Sequence, residues 1–230
     1  MFEELAEYLG TTPEQCVKSW EDLQKLYRNE WDSRATEAGY YKDTLFYLYD
    51  LSVWEADPAR KNFNDRIVRF LIEKKAKKCC DFGSGIGGDA LLMLNRGAEF
   101  VYMVDYPSRT NDYAQWRLKK RGLWEKTLFV PLKEDGMPVS DLPEKVDYIT
   151  SIASLEHCPD PKASIDWMRR NGSYLLLRPD PSNKDAHPMH HEEHFNFLSQ
   201  MMSKRPGDKV HGLQILDIDD DPTLYLSIEN

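Results

Sequence analysis

A chain of 230 residues, 41% of them apolar, is long enough for one sizeable domain with a packed core. Its net charge of -9 leaves little cationic surface for a phosphate backbone, which disfavours a nucleic-acid partner, and no apolar run approaches the roughly 18 residues of a membrane span. The acidic start MFEELAEYLG is the opposite of a basic signal peptide, and Cys16, Cys79, Cys80 and Cys158 form no CxxC pair, so a cytoplasmic protein with reduced thiols is expected.

Residues 1–57 read as a helical segment. Thr12-Pro13-Glu14-Gln15 is a capping box with proline at the first helical position, launching a helix towards Arg34. The following stretch, YYKDTLFYLYDLSVWE, is dense in aromatics. Trp20, Tyr27, Trp31, Tyr40, Tyr41, Phe46, Tyr47, Tyr49 and Trp54 all precede residue 57. Most of them suit contacts between helices and the domain below. The remainder could wall a pocket for a flat or apolar substrate, with Tyr40 and Tyr41 as the candidates.

Residues 58–230 alternate between helix and strand. FNDRIVRFLIEKK reads as a helix, whose end runs into the solvated basic stretch KKAKK, and KKCCDFG as a short buried strand. ALLMLNRG is a helix closed by Gly97, EFVYMVD a strand, and NDYAQWRLKKRG a helix ending at Gly122. The strands TLFVPL and VDYITSIAS follow, then the helix PKASIDWMRRNG and the strand SYLLLRP. Such alternation predicts an α/β fold, a Rossmann-like doubly wound sheet with helices on both faces. The tail breaks the rule: KVHGLQILDI and TLYLSIEN flank DDDP without a helix, so the mostly parallel sheet should end in a C-terminal antiparallel hairpin.

The strongest chemical signal is DFGSGIGGDA, residues 81 to 90, between a predicted strand and a predicted helix. Gly83, Gly85 and Gly87 let the backbone turn tightly and approach a ligand, and a helix starting near Ile86 would aim free N–H groups at it. Gly83, Gly85 and Gly88 also satisfy the GxGxxG spacing of dinucleotide sites, so the glycines alone are ambiguous. Asp81 separates the two readings, because a carboxylate at the strand end repels a pyrophosphate and suits a cationic ligand. A second carboxylate, Asp105, ends the next strand, where it can accept hydrogen bonds from both hydroxyls of a ribose.

Asp81-Phe82-Gly83-Ser84-Gly85-Ile86-Gly87 followed by Asp105 resembles motifs I and II of the class I S-adenosylmethionine-dependent methyltransferases. VDYITSIAS followed by LEHCPDP is similar to their motif IV region in the ubiquinone-biosynthesis and type-11 branches. The resemblance covers roughly residues 60 to 180. It implies that Asp81, Gly83, Ser84, Gly85 and Gly87 hold the methionine part of the cofactor, that Asp105 binds the ribose, that Tyr106 lies against the adenine, and that Ser151 lines the reactive side. The N-terminal helices have no counterpart in the shared core, and additions of this kind often form a substrate lid in that family.

Glu156 and His157 follow the fourth strand, at the edge where open α/β sheets place their sites. His157 is the candidate general base, with Glu156 beside it. In ubiquinone-type O-methyltransferases this segment reads E-x-x-E-H and binds a divalent metal, but Ala153 replaces the first acid here. Replacement ligands are sought in HPMHHEEHF, residues 187 to 195, which holds four of the six histidines. A helix starting near residue 189 would put His190 and His194 one turn apart, and an earlier start would do the same for His187 and His191. The first reading is a solvated helix start whose Glu192 and Glu193 favour the dipole; a divalent metal set of Glu156, His157, His191 and His194 is an alternative to it. A third alternative makes His190 and His191 part of a substrate-contacting rim. The function expected is methyl transfer from S-adenosylmethionine to oxygen or nitrogen of a small molecule. Two alternatives remain, an NAD-type oxidoreductase and a catalytically silent S-adenosylmethionine-binding partner protein.

Overall fold

The computed structural model describes residues 2–180, 188–203, 207–211, 213–216 and 225–228, without the side chains of residues 63, 64, 68, 70, 202, 210, 213–216 and 225–228. Four helices come first: α1 (Glu3–Leu9), α2 (Pro13–Ser33), α3 (Glu37–Asp43) and α4 (Phe46–Ala56). Thr12 caps α2 as its sequence demands, its hydroxyl accepting from the Gln15 amide at 3.2 Å. Thr36 caps α3 in the same way, accepting from Gly39 at 3.0 Å.

The alternating region follows as α5 (Pro58–Glu73), β1 (Lys78–Phe82), α6 (Gly88–Asn95), β2 (Phe100–Asp105), α7 (Arg109–Lys120), β3 (Thr127–Pro131), β4 (Val146–Ile152), α8 (Pro161–Asn171) and β5 (Gly172–Arg178). Beyond β5 come α9 (Phe195–Met202), β6 (Lys209–Val210), β7 (Leu213–Leu216) and β8 (Tyr225–Ile228). The strand order is β3-β2-β1-β4-β5-β8-β7-β6, with β1 to β5 parallel and the last three strands antiparallel. The order reverses between β1 and β4, and an open α/β sheet forms its binding crevice outside the carboxyl ends of the strands at such a point.

Alternation along the buried strands feeds two cores. Cys79, Val101 and Met103 face α5, α6 and α7, where they meet Ile67, Leu91, Leu94 and Leu118. Cys80, Phe82, Tyr102 and Val104 face the other way and pack with Ile165, Trp167 and Met168 of α8 and Leu198 and Met201 of α9. All four cysteines are buried free thiols. Among the described residues, no helix is long and apolar enough to cross a membrane.

Three expectations are corrected. The helix after the glycine loop starts at Gly88 rather than near Ile86, because Gly87 at φ 75° still belongs to the turn. KVHGLQILDI is not one strand: the chain reverses at His211, φ 47°, so that Lys209 pairs with Gln214 and Val210 with Leu213. No helix starts near residue 189 either. A 3-10 turn occupies Glu192–His194 and α9 begins only at Phe195, so the one-turn spacing of His190 and His194 does not arise. His187 lies outside the described residues.

The N-terminal helices are fastened to the sheet domain by packing and by charge. Phe2, Leu5, Cys16, Leu48 and Tyr49 form a core with Tyr113 of α7 and Ile86 of the glycine loop. Beside it, Arg117 of α7 grips Glu55 through two hydrogen bonds of 2.7 and 2.8 Å, donates to the Ile86 carbonyl at 2.9 Å, and meets Glu4 at 3.0 Å. Arg117 is buried, so its charge requires these partners. One guanidinium thereby joins α1, α4, α7 and the glycine loop, a connection that sequence spacing does not reveal.

Candidate active site

The glycine loop leaves β1 at the sheet's carboxyl edge. Gly83 and Ser84 donate their amides to the Val104 carbonyl at 2.8 and 3.2 Å, which straps the loop to β2. Gly83 has φ 82°, and a Cβ there would stand 2.4 Å from Ser154 Cβ. This glycine is therefore required as much by the loop after β4 as by any ligand. Ser154 Oγ donates to the Phe82 carbonyl at 3.0 Å and lies 2.6 Å from Ser151 Oγ, closing the two loops over the switch point.

Asp105 ends β2 with one oxygen accepting from Gly85 and the other from Tyr106, both at 2.6 Å. Each oxygen keeps a second lone pair for a ligand. Burial pushes this carboxyl up to about 6, although the Gly85 and Tyr106 amides pull the other way. Asp81 sits deeper. Burial and then the neighbouring Asp89 charge push its carboxyl well above the usual range, while Arg60 opposes them. Arg60 in turn binds Asp89 at 3.0 Å and lies over the Trp54 ring.

After β4, Ala153 takes φ 50°, and the 3-10 turn Leu155–His157 then brings Glu156 and His157 to the same edge. Glu156 is 2% exposed, and burial pushes its carboxyl up to about 8. Backbone amides of Glu156 itself and Asp180 oppose the shift as weak contacts, none of them reaching full hydrogen-bond geometry among the described residues. His157 Nδ1 lies 3.3 Å from the Met189 carbonyl and 3.2 Å from the Tyr41 hydroxyl. With the proton on Nδ1 the ring donates to the Met189 carbonyl and Nε2 is the basic nitrogen; with the proton on Nε2, Nδ1 accepts from the Tyr41 hydroxyl.

These groups surround one cavity of about 620 Å³. Its walls include Gly83, Gly85, Asp105 and Tyr106 on the loop side, and Glu156, His157, Met189 and His190 on the other. The N-terminal helices roof it with Tyr27, Tyr41, Phe46, Tyr47, Asp50, Leu51 and Trp54. Tyr41 stacks on Tyr106 with centroids 5.4 Å apart and planes 3° from parallel. Tyr41 and Tyr47 both present edges to the His157 ring at 6.2 Å.

Most of the residues singled out in the sequence therefore converge, though not all reach the cavity. Asp81, Ser84, Gly87 and Ser151 lie behind the wall, and Ser84 Oγ is buried without a hydrogen-bond partner. Tyr40 is also behind it, packed on Trp31, Tyr41 and Tyr47. Asp50, Leu51 and Asp180 line the cavity but carried no signal of their own in the sequence, and Met189 joins them from the histidine stretch, so three separate segments meet there.

The alternative metal set of Glu156, His157, His191 and His194 is not brought together. Without the helix at 189, His190 turns inward and its ring lies 4.7 Å from that of His157. His191 and His194 turn the other way. His191 pairs with Glu37 of α3 at 3.2 Å and with Glu193 at 3.4 Å, and His194 lies 2.8 Å from the Pro159 carbonyl. Among the described residues, potential ligands thus fall into two groups, Glu156–His157–His190 and His191–Glu193–His194.

A family model described as a methyltransferase domain matches residues 54–205. The chain belongs to the methyltransferase-domain family. That assignment removes the oxidoreductase alternative and agrees with the fold, which is that of the class I S-adenosylmethionine-dependent methyltransferases. The O-methyltransferase TomG from Streptomyces achromogenes, involved in tomaymycin synthesis and solved in complex with SAM, is similar with a TM-score of 0.53. The match is 10% identical and covers 74% of this chain and 80% of TomG. A putative RNA methyltransferase from Pyrococcus horikoshii aligns with a TM-score of 0.50 and 15% identity, over 77% of this chain and 90% of that one. At such identities the likeness is one of fold. The match to the cyclase SpnF (TM-score 0.43, 20% identity) covers 50% of this chain and spans 44% of the length of SpnF. No curated protein sequence matches this one significantly.

Proposed function

We propose that this protein transfers a methyl group from S-adenosylmethionine to an oxygen or nitrogen of a small molecule. The observation that carries the reading is the single cavity that joins the glycine loop and Asp105 to the Glu156–His157 turn beneath a tyrosine roof. The residues fit the cofactor: Asp105 offers two lone pairs at the ribose position, Tyr106 an aromatic face, and the loop glycines an approach free of Cβ atoms. When bound, the cofactor supplies an electrophilic methyl on a sulfonium. Everything else falls to the chain. Asp105 orients the ribose, and Ser84 acts from behind the wall by holding the loop through its amide on the Val104 carbonyl, with the Asp81 carboxyl buried beside Thr150. With its own proton on Nδ1, His157 takes the acceptor's proton on the basic Nε2 as the new bond to carbon forms, while the Met189 carbonyl fixes the ring.

Residues 1–57 act as the substrate lid, with Tyr41 contacting the acceptor and Tyr40 supporting it from behind. His190 borders the acceptor, and His191 holds the rim to the lid through Glu37. A cavity of about 620 Å³ must hold both reactants, which favours a small acceptor over a macromolecule. Four reduced, buried cysteines support a cytoplasmic setting. The test is incubation with S-adenosylmethionine and fractionated small-molecule extracts, followed by detection of S-adenosylhomocysteine. Turnover that disappears in His157→Ala with cofactor affinity retained supports the assignment of the base. Cofactor binding without turnover on any fraction would leave a silent binder.

A further inference from the structure

We infer that helix α4 of the N-terminal segment is a wall of the cofactor site itself, with Leu51 touching the cofactor and Glu55 and Arg117 positioning the glycine loop beneath it. The inference rests on the reading that this loop and Asp105 hold S-adenosylmethionine. It gives the N-terminal helices a second task besides covering the acceptor.

The glycines carry the argument. A Cβ on Gly85 would stand 2.9 Å from Leu51 Cδ1, and a Cβ on Gly88 would stand 3.0 Å from Glu55 Cδ. Ordinary carbon contacts are about 3.5–4.0 Å, so α4 lies on the loop as closely as glycine backbone permits. Leu51 and Glu55 stand at i and i+4, which puts both side chains on one face of the helix. That face runs along the loop, with one side chain over each glycine. Spacing that reads as a ligand cradle is therefore also the track on which α4 docks.

Charge locks the contact. Glu55 accepts from Arg117 at 2.7 and 2.8 Å, and the same guanidinium donates at 2.9 Å to the carbonyl of Ile86, between the two glycines. From the other side, a Cβ on Gly87 would stand 3.0 Å from Ala114 Cβ of α7. The loop is thus held between α4 and α7. Gly85 also donates its amide to Asp105 at 2.6 Å, so the glycine under Leu51 is the one that orients the ribose acid. Leu51, Gly85 and Asp105 line the same cavity. A cofactor held by Asp105 and the loop meets Leu51 above it, and an outward swing of α4 removes that wall and loosens the loop together. Cofactor binding and docking of α4 must then favour each other by the same factor.

The experiment uses the full-length chain and S-adenosylhomocysteine, the thioether left after methyl transfer, with its affinity fixed by calorimetry. Limited proteolysis at the turns flanking α3, leaving the sheet domain intact, reports local opening of the N-terminal helices. At a ligand concentration 100 times Kd this cleavage should slow by about 10-fold or more, and by about 100-fold where every opening abolishes binding. Leu51→Ala and Glu55→Gln should each weaken S-adenosylhomocysteine binding by about 5-fold or more, at unchanged stoichiometry and circular dichroism. A purely structural role would lower the unfolding midpoint and leave that affinity alone. Cleavage that the bound ligand does not slow, or wild-type affinity in both variants, would overturn the inference while the cofactor reading stands. A chain that does not bind S-adenosylhomocysteine at all would overturn both.

Discussion

Replacing Gly83 with alanine tests whether the glycine loop is shaped by the neighbouring loop as well as by a ligand. The new Cβ would stand 2.4 Å from Ser154 Cβ and 2.7 Å from Ser154 Oγ. Ordinary carbon contacts are about 3.5–4.0 Å, so one loop must retreat by more than an ångström. The φ of 82° adds a backbone cost of about 1–2 kcal/mol for any residue with a Cβ. If Ser154 moves, its bond to the Phe82 carbonyl and its contact with Ser151 are lost, at about 1 kcal/mol each. The expected destabilisation is about 3–4 kcal/mol, read from urea unfolding midpoints at constant slope. Ser154→Gly removes the obstacle, so the double variant should recover part of the loss, with a coupling of about 1.5 kcal/mol or more. The backbone part should persist. A cost below about 1 kcal/mol for Gly83→Ala, or strictly additive single variants, would refute the close-approach argument.

Asp105→Ala should weaken S-adenosylmethionine binding by about 30-fold or more, the loss expected when two hydrogen bonds to a charged acceptor disappear; calorimetry checks it. The Asp105 carboxyl stands at about 6, above its unfolded value, so it gains its proton as pH falls through that range and loses its strength as an acceptor. Cofactor affinity should therefore be highest above about pH 7 and fall below about pH 6, whereas Asp105→Asn should show a flatter profile. The sign reverses for the ligand-free fold, whose contribution from Asp105 is present at low pH and is lost as pH rises through 6. Glu55→Gln should destabilise the chain by about 2–3 kcal/mol by weakening the paired contact to the buried Arg117, and protease should then cut the N-terminal helices faster. Unchanged stability and cleavage would show that the helices are held by packing alone.

The parallel part of the fold was legible because its signals are local. Each strand from KKCCDFG to SYLLLRP is a short apolar run bounded by a turn residue, and each helix carries its own cap or glycine stop. The chain's reversal at His211 was not legible, since KVHGLQILDI is apolar on both sides of the turn and reads as one run. The helix start at 189 failed for a related reason. Pro188 and the two glutamates are genuine helix-start signals, but the His191 amide is spent on the Glu156 carbonyl, a contact 35 residues away in sequence. That same contact turns His190 inward and His191 outward, so the histidines divide in a way no helical period predicts. Asp105 and the glycine loop could be found by spacing. The Tyr41–Tyr106 stack and the Arg117 grip could not, because both join segments more than 60 residues apart.

The most direct test of methyl transfer follows an isotopically labelled methyl group from S-adenosylmethionine in a reaction of the full-length chain with whole-cell extract, separated into small-molecule, protein and nucleic-acid fractions. The account predicts label in the small-molecule fraction, lost in Asp105→Ala and in His157→Ala. Label confined to protein or nucleic acid, or no transfer by a chain that binds the cofactor, would contradict it.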